Sequence, residues 1–387
     1  MHKLDFTGDN RLKLLQCGEQ FFPALLEAIA SAREEIYLET YIFALDATGE
    51  KIISALETAA SRGVIVRLII DWIGSGHRLA FQLQEKMLAR AIDCRVFNPW
   101  FRRGLTRTHR KIVVIDHQVA FVGGINIISD LHSDDGDPSQ LPFPRWDFSV
   151  AIEGKLVSRI HKEIEAQWLK TGKLEILKRL QIARDLRRHP RLHFTHEGLA
   201  ALVIRDNLRN RNTIQKSYLK ALGNAKKNAI LANPYFSPGR KIRHALMRAA
   251  QRGVEVSLLL GVGEFDWQDA VTQSYYPALL EHGVKIYEYR KTRLHAKVAV
   301  IDQEWATVGS SNFDGFSLFL NHEANIVVRD RGFSGELYQL LRQGLCDATQ
   351  IDQQKLQRQG WLTRIKNRIA YYFYRLIMLV ATLGQYR

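Results

Sequence analysis

Cysteine is scarce in this chain. Cys17, Cys94 and Cys346 are the only three in 387 residues, and they stand far apart. No CxxC pair or zinc-ligand spacing links them, which points to a reducing cytosolic setting without structural disulfides. Long apolar runs are also missing. No stretch of 18 apolar residues occurs, so a simple transmembrane helix is not supported. The opening MHKLDFTGDNRLKLL has no apolar core, so no signal peptide is expected. Negative charge is in deficit: 40 Asp+Glu against 55 Lys+Arg leave a net charge of +15. That imbalance implies a polyanionic partner, nucleic acid or an anionic membrane, and says nothing about fold. Within the deficit there is no dense carboxylate cluster of the kind a magnesium site wants. The hydrophobic share, 46%, is that of an ordinary globular chain with a sizeable core. The length favours two to three domains.

What the chain does have is one short pattern written twice. His109-Arg-Lys111-Ile-Val-Val-Ile-Asp116 and His295-Ala-Lys297-Val-Ala-Val-Ile-Asp302 both read His-x-Lys-x4-Asp. Each is followed at the same distance by Gly-small-x-Asn: Gly123 to Asn126, and Gly309-Ser310-Ser311-Asn312. A single match would be weak, but two matches with the same extension form a specific signal. The repeat reaches further upstream. Arg62-Gly63-Val64-Ile65-Val66 answers Arg252-Gly253-Val254-Glu255-Val256, and the segment 35–43 answers 228–236.

Each half reads as helix, strand, helix, strand, then a strand pair opened by the motif. In the first half we expect helices over 21–33 and 49–62 and strands near 35–43, 64–71, 111–116 and 119–122. The second half repeats the pair at 297–302 and 306–308. Strands alternating with helical patterns predict α/β units on a largely buried sheet. The expected architecture is two similar α/β halves, 1–170 and 201–345, related by pseudo-two-fold symmetry and sharing one site. A basic segment, 171–200, joins them, and a tail, 346–387, follows. The connecting segment carries Lys173, Lys178, Arg179, Arg184, Arg187, Arg188 and Arg191, a composition that fits a solvated helix and an anion-binding surface alike.

His and Lys two apart on a strand project from one face. His109 with Lys111, and His295 with Lys297, can therefore line one pocket if the halves meet. Two imidazoles, two ammoniums and two Asn amides suit a phosphodiester. One neutral His attacks phosphorus and forms a phosphohistidine. The other protonates the leaving alkoxide and then deprotonates the incoming alcohol or water. Lys111, Lys297, Asn126 and Asn312 hold the non-bridging oxygens, and the Ser310 hydroxyl joins the phosphate-binding set. No metal and no other cofactor is needed, because ammoniums supply the positive charge. A nucleophilic His works best beside a carboxylate that fixes its tautomer, and each half offers one, Asp147 and Glu323. The motif groups Asp116 and Asp302 with the catalytic residues, but their place at strand ends before a turn suggests that they tie turn backbone.

These residues carry a resemblance to the phospholipase D superfamily, whose mark is the paired motif. Leu38-Glu-Thr-Tyr-Ile42, Phe121-Val-Gly-Gly-Ile-Asn126 and Ala306-Thr-Val-Gly-Ser-Ser-Asn-Phe-Asp314 extend it over residues 10–345. Within that superfamily the chain resembles bacterial cardiolipin synthases, most closely the short B type that lacks two N-terminal transmembrane helices. The resemblance implies the phospholipase D fold and a phosphatidyltransferase that makes cardiolipin from two phosphatidylglycerols and releases glycerol. It implies phospholipid partners, phosphatidylglycerol and also phosphatidylethanolamine, and a peripheral place on the cytoplasmic face of a bacterial inner membrane. It also implies that His109 is the nucleophile. Gly124 stands where many relatives have Ser, which leaves only its backbone for phosphate. A water-using hydrolase and a basic nuclease remain the rival readings.

Two segments favour lipid over nucleic acid. Phe97 to Arg107 mixes aromatics with arginines, a blend that suits a headgroup interface and also stacked bases. The run Trp361 to Val380 is interrupted by Arg375 and short for a span, so it reads as an amphipathic helix in an interface or as a terminal helix packed on the core.

Overall fold

The computed structural model describes residues 4–132, 140–172, 198–357 and 360–382. The basic cluster expected between the halves, Lys173 to Arg191, lies outside the described residues. The first half supplies β1 (Asn10–Gln16), β2 (Glu35–Thr40), β3 (Ile65–Asp71), β4 (Asp93–Phe97), β5 (Arg102–Leu105), β6 (Ile112–Ile115), β7 (Val119–Gly123) and β8 (Phe148–Gly154). All but β5 form one sheet in the order β1-β8-β7-β6-β2-β3-β4. The second half supplies β9 (Ala200–Arg205), β10 (Asn228–Asn233), β11 (Glu255–Gly261), β12 (Lys285–Tyr289), β13 (Val298–Ile301), β14 (Trp305–Gly309), β15 (Glu323–Val328) and β16 (Thr349–Ile351). Their sheet runs β9-β15-β14-β13-β10-β11-β12-β16, the same order with one strand added at the edge. That added strand falls inside the segment expected to belong to the tail. It is short and mostly exposed, so no alternation of apolar residues announces it.

The parallel strands β2, β3 and β4, and β10, β11 and β12, are buried cores flanked by helices. In the first half α1 (Cys17–Ser31) and α2 (Ala47–Ser61) pack beside them. Helix α2 is capped by Asp46, whose side chain accepts from Gly49 N at 2.8 Å, and it buries Ile52, Ile53, Leu56 and Ala59 at helical spacing. Helix α1 starts four residues earlier than its sequence suggests. Tertiary contacts set that start: Cys17 N donates to Asp147 O at 2.8 Å, and Gly18 N donates to the Asp130 carboxylate.

The two sheets face each other. Val122, Phe148 and Val150 of the first share one buried cluster with Val308, Ala324 and Ile326 of the second. Helices α3 (His77–Leu88) and α4 (Lys155–Thr171) complete the first half, and α4 adds Leu156, Ile160 and Ile164 to that cluster. Each large apolar side chain so buried stabilises by roughly 1.5–3 kcal/mol, so this shared cluster joins the halves, beside one further buried cluster within each. The N-terminal segment even pairs with the second half, through Thr7 and Ala200.

Each motif strand runs into a hairpin with a left-handed turn. Asp116 and His117 have φ of 50° and 55°, Asp302 and Gln303 of 54° and 55°. Asp tolerates this region better than most residues, and each side chain anchors its turn to amides at the start of β2 or β10. The segments that carry the two His–Lys frames enter from the opposite end, just ahead of β6 and β13.

Candidate active site

His109 and Lys111 do not lie on a strand; they occupy the extended segment just before β6, and His295 and Lys297 the matching segment before β13. That segment is held from the other half. His109 N donates to His322 O at 2.9 Å, and His322 N to Arg107 O at 2.8 Å. Symmetrically, His295 N donates to Trp146 O at 2.9 Å, and Trp146 N to Arg293 O at 2.9 Å. Trp146 and His322 are the residues immediately before Asp147 and Glu323. The backbone bridges therefore deliver each carboxylate to the histidine of the opposite half.

The pairing is accordingly crossed. His109 Nδ1 lies 3.0 and 3.1 Å from the two oxygens of Glu323, and His295 Nδ1 lies 2.6 Å from Asp147 Oδ2. All four side chains are buried. Binding at Nδ1 fixes the proton there, so the chemistry falls to the other ring nitrogen, Nε2. Burial dominates the electrostatics. It pulls the His109 pKa below the ordinary imidazole value, with Lys111 acting in the same direction and Glu323 against it. It pushes the Asp147 carboxyl up from 3.8 to about 6, a rise that the Lys297 charge, the Phe148 N–H and the Lys111 charge oppose.

Both lysines belong to the same cluster. Lys297 Nζ is 4.0 Å from Asp147 Oδ2, and its charge is also felt at His109. Lys111 Nζ donates to His109 O at 2.8 Å, and Lys297 Nζ to His295 O. Tyr41 closes the first side: its ring meets His109 edge-on at 4.8 Å and lies 5.2 Å from Lys111 Nζ. Asn126 accepts from Ile42 N at 3.2 Å, while its Nδ2 is buried with no partner. Asn312 donates to Asp314 and leaves its Oδ1 without a partner.

Two expectations change, and the geometry decides between the two readings of Asp116 and Asp302. Asp116 and Asp302 are not at the site: each sits beyond a four-residue strand and ties the backbone at the far end of the sheet. Asp116 accepts from the amides of Arg33, Glu34 and Glu35 at 2.7–2.9 Å, and Asp302 from Lys226, Lys227 and Asn228 at 2.7–3.0 Å. Ser310 is turned away from the phosphate role, because its hydroxyl donates to Glu323 Oε2 and accepts from Ala324 N. Gly124 offers no free amide: its N–H bonds Phe148 O at 2.9 Å. A Cβ there would stand 2.3 Å from Asp147 Oδ1, so glycine makes room for that carboxylate.

Sequence reasoning places Asp71 at the start of a loop that lines the site but gives no hint that it fixes the approach to the first motif. It accepts from Thr108 N at 2.8 Å and from Ile73 and Gly74 at 2.9 and 3.0 Å. Trp72, the next residue, stacks on His77 and meets Trp100 and Phe101. Asn98 closes the aromatic–basic loop by donating to Gly104 O at 2.9 Å and Thr106 O at 2.6 Å.

Two repeated frames that complete each other across one interface define a phospholipase D-type enzyme. The family described as "Cardiolipin synthase, PLD-like domain" matches residues 25–134 and 218–344, and the chain belongs to it. Cardiolipin synthase B of Salmonella typhi is 39% identical over 96% of this chain and 90% of its own length. Cardiolipin synthase B of Escherichia coli K12 is 36% identical over the same shares. The phosphatidylserine synthase of Haemophilus influenzae Rd KW20 has the same fold, with a TM-score of 0.74 over 98% of this chain and 97% of its own at 14% identity.

Proposed function

We propose that this chain is a phosphatidyltransferase that condenses two phosphatidylglycerols into cardiolipin and glycerol. The crossed His–carboxylate pairs carry the reading, because they place two imidazoles, one paired with a glutamate and one with an aspartate, in one buried, cationic cluster. His109 Nε2 attacks phosphorus as the P–O bond to the leaving glycerol breaks. His295, protonated, gives that oxygen its proton. A hydroxyl of the second phosphatidylglycerol then attacks the phosphohistidine, its proton passes to His295, and the P–N bond breaks. Burial lowers the His109 pKa and so favours the neutral ring that a nucleophile needs. Lys111, Lys297 and the Asn126 amide face the charge that builds on the non-bridging oxygens.

Water is a competing acceptor for any phosphohistidine, so a transferase must dry the site and position a lipid alcohol. The loop carrying Trp100 and Phe101 supports that task. Peripheral attachment to an anionic membrane is supported by helix α12, Trp361–Ala381, counted after α5 (Thr213–Asn224), α6 (Arg240–Gln251), α7 (Asp266–Gln273), α8 (Tyr276–Glu281), α9 (Gly315–Phe319), α10 (Arg331–Cys346) and α11 (Gln353–Gln357). One narrow stripe of α12, Asn367, Ala370, Tyr374 and Met378, is buried, and Tyr374 Oη accepts from Gly315 N at 2.8 Å. The rest exposes Leu362, Ile369, Leu376 and Val380 beside Arg364, Arg368 and Arg375. Among the described residues no helix is long and apolar enough to cross a membrane.

The test is incubation of purified protein with labelled phosphatidylglycerol vesicles, with and without phosphatidylethanolamine, followed by lipid analysis. Cardiolipin should dominate, and excess glycerol should drive the reaction backwards. Phosphatidic acid as the main product would make the chain a hydrolase, and comparable cleavage of single-stranded DNA would make it a nuclease.

A further inference from the structure

Away from the catalytic histidines, two other imidazoles meet one carboxylate. Glu35 opens β2, His117 sits in the left-handed turn between β6 and β7, and His161 lies midway along α4. His161 Nε2 stands 2.7 Å and His117 Nε2 2.8 Å from the same oxygen, Glu35 Oε1. The ring centroids are 3.6 Å apart, and one donor atom from each of the three residues lies within 4.8 Å of the other two. The second carboxylate oxygen is already engaged: Arg67 Nη1 bonds Glu35 Oε2 at 2.9 Å and also bonds the Tyr37 hydroxyl. Oε1 is thereby fixed toward the imidazoles.

Phosphoryl transfer makes no use of this cluster, which lies at the end of β2 remote from Tyr41. The fold does not require it either. The matching positions of the second half are Asn228 and Gln303, and α10 carries no histidine, yet the Asp302 turn has the same geometry as the Asp116 turn. We propose that Glu35, His117 and His161 form a binding site for one divalent transition-metal ion, with zinc the best match to two imidazoles and a carboxylate. Zinc bonds these donors at about 2.0–2.2 Å, so the ion replaces the two hydrogen bonds that the rings now give Glu35. His117, with its side chain about half exposed, provides the way in and leaves a fourth position for water. The Arg67 contact orients the ligating carboxylate from behind. The ion would staple β2, a hairpin turn and α4, the helix that lies against the second half.

The experiment is calorimetric titration of zinc chloride into tag-free, EDTA-stripped full-length protein, with thermal melts in parallel and cobalt(II) as a spectroscopic probe. Wild type should bind one equivalent, melt higher as metal is added, and give a cobalt d–d band. His117→Ala, at a half-exposed position that does not threaten folding, and His161→Asn should each weaken binding about tenfold or more. Turnover of stripped wild type and of His117→Ala should equal that of untreated enzyme. Equal zinc affinity in wild type and His117→Ala would overturn the site, as would the absence of saturable binding. Binding lost in His109→Ala but kept in His117→Ala would assign the metal to the catalytic histidines and overturn it as well.

Discussion

In the first half, Asp147 reaches across to His295 and faces Gly124; in the second, Glu323 reaches across to His109 and is held by the Ser310 hydroxyl. The frames are otherwise alike, down to strand order and the two aspartate-tied turns. Carboxylate length and its small neighbour vary together. Glutamate has one more rotatable bond, and the serine hydroxyl restrains it. Aspartate is shorter, takes its own Phe148 N–H at 2.7 Å, and needs the space that only glycine leaves. The difference teaches that the halves are equal in scaffold and unequal in tuning, as expected if one histidine is the nucleophile and the other the proton carrier.

The hardest way to break the comparison is to remove either imidazole. His109→Ala and His295→Ala should each lower turnover by about 10³-fold or more, because members of one catalytic unit fail together. Near-normal activity in either would mean that the halves work separately. Acid-quench trapping of labelled phosphohistidine in the pair of variants then says which ring is the nucleophile.

The carboxylates come next. Glu323→Gln and Asp147→Asn should each cost roughly 10²-fold or more by releasing the tautomer of the histidine across the interface. Their pH profiles should differ. With the Asp147 carboxyl at about 6, turnover should fall as pH drops through that value, and Asp147→Asn should remove this acid limb. The stability sign is opposite. A folded-state pKa raised above 3.8 favours the fold at low pH, and that contribution fades as pH rises through about 6. An acid limb unchanged in Asp147→Asn would assign the titration elsewhere.

Exchanging the small residues sharpens the contrast further. Gly124→Ser should crowd Asp147 and cost about 1–3 kcal/mol of stability along with activity, whereas Ser310→Gly should fold normally and lose several-fold in turnover. Equal effects from the two would erase the tuning difference. Smaller still in turnover are Asp116→Asn and Asp302→Asn. Each should leave the chemistry running while lowering stability by about 1–3 kcal/mol, read by thermal melts. The smallest effect on a soluble short-chain substrate is expected from Leu362→Ser with Ile369→Ser on the exposed side of α12. Vesicle binding should weaken while the melting temperature holds; unchanged binding would leave α12 a packed helix alone.

The sequence by itself determined the duplication, the α/β class, the two His–Lys frames and the family, because each rests on residue identity at fixed spacing along a short segment of chain. It also located Asp147 and Glu323 as partners for the histidines. Which carboxylate serves which histidine was decided only in three dimensions, by backbone bridges from Trp146 to Leu294 and from Thr108 to His322 that no spacing along the chain encodes. The same holds for Ser310 and Gly124, whose roles depend on the length of a side chain on another strand. It holds too for α12, where one stripe packs beside Gly315 and the remaining apolar face stays open. Periodicity reports that a helix has an apolar side, and only packing decides how much of that side the core has room to cover.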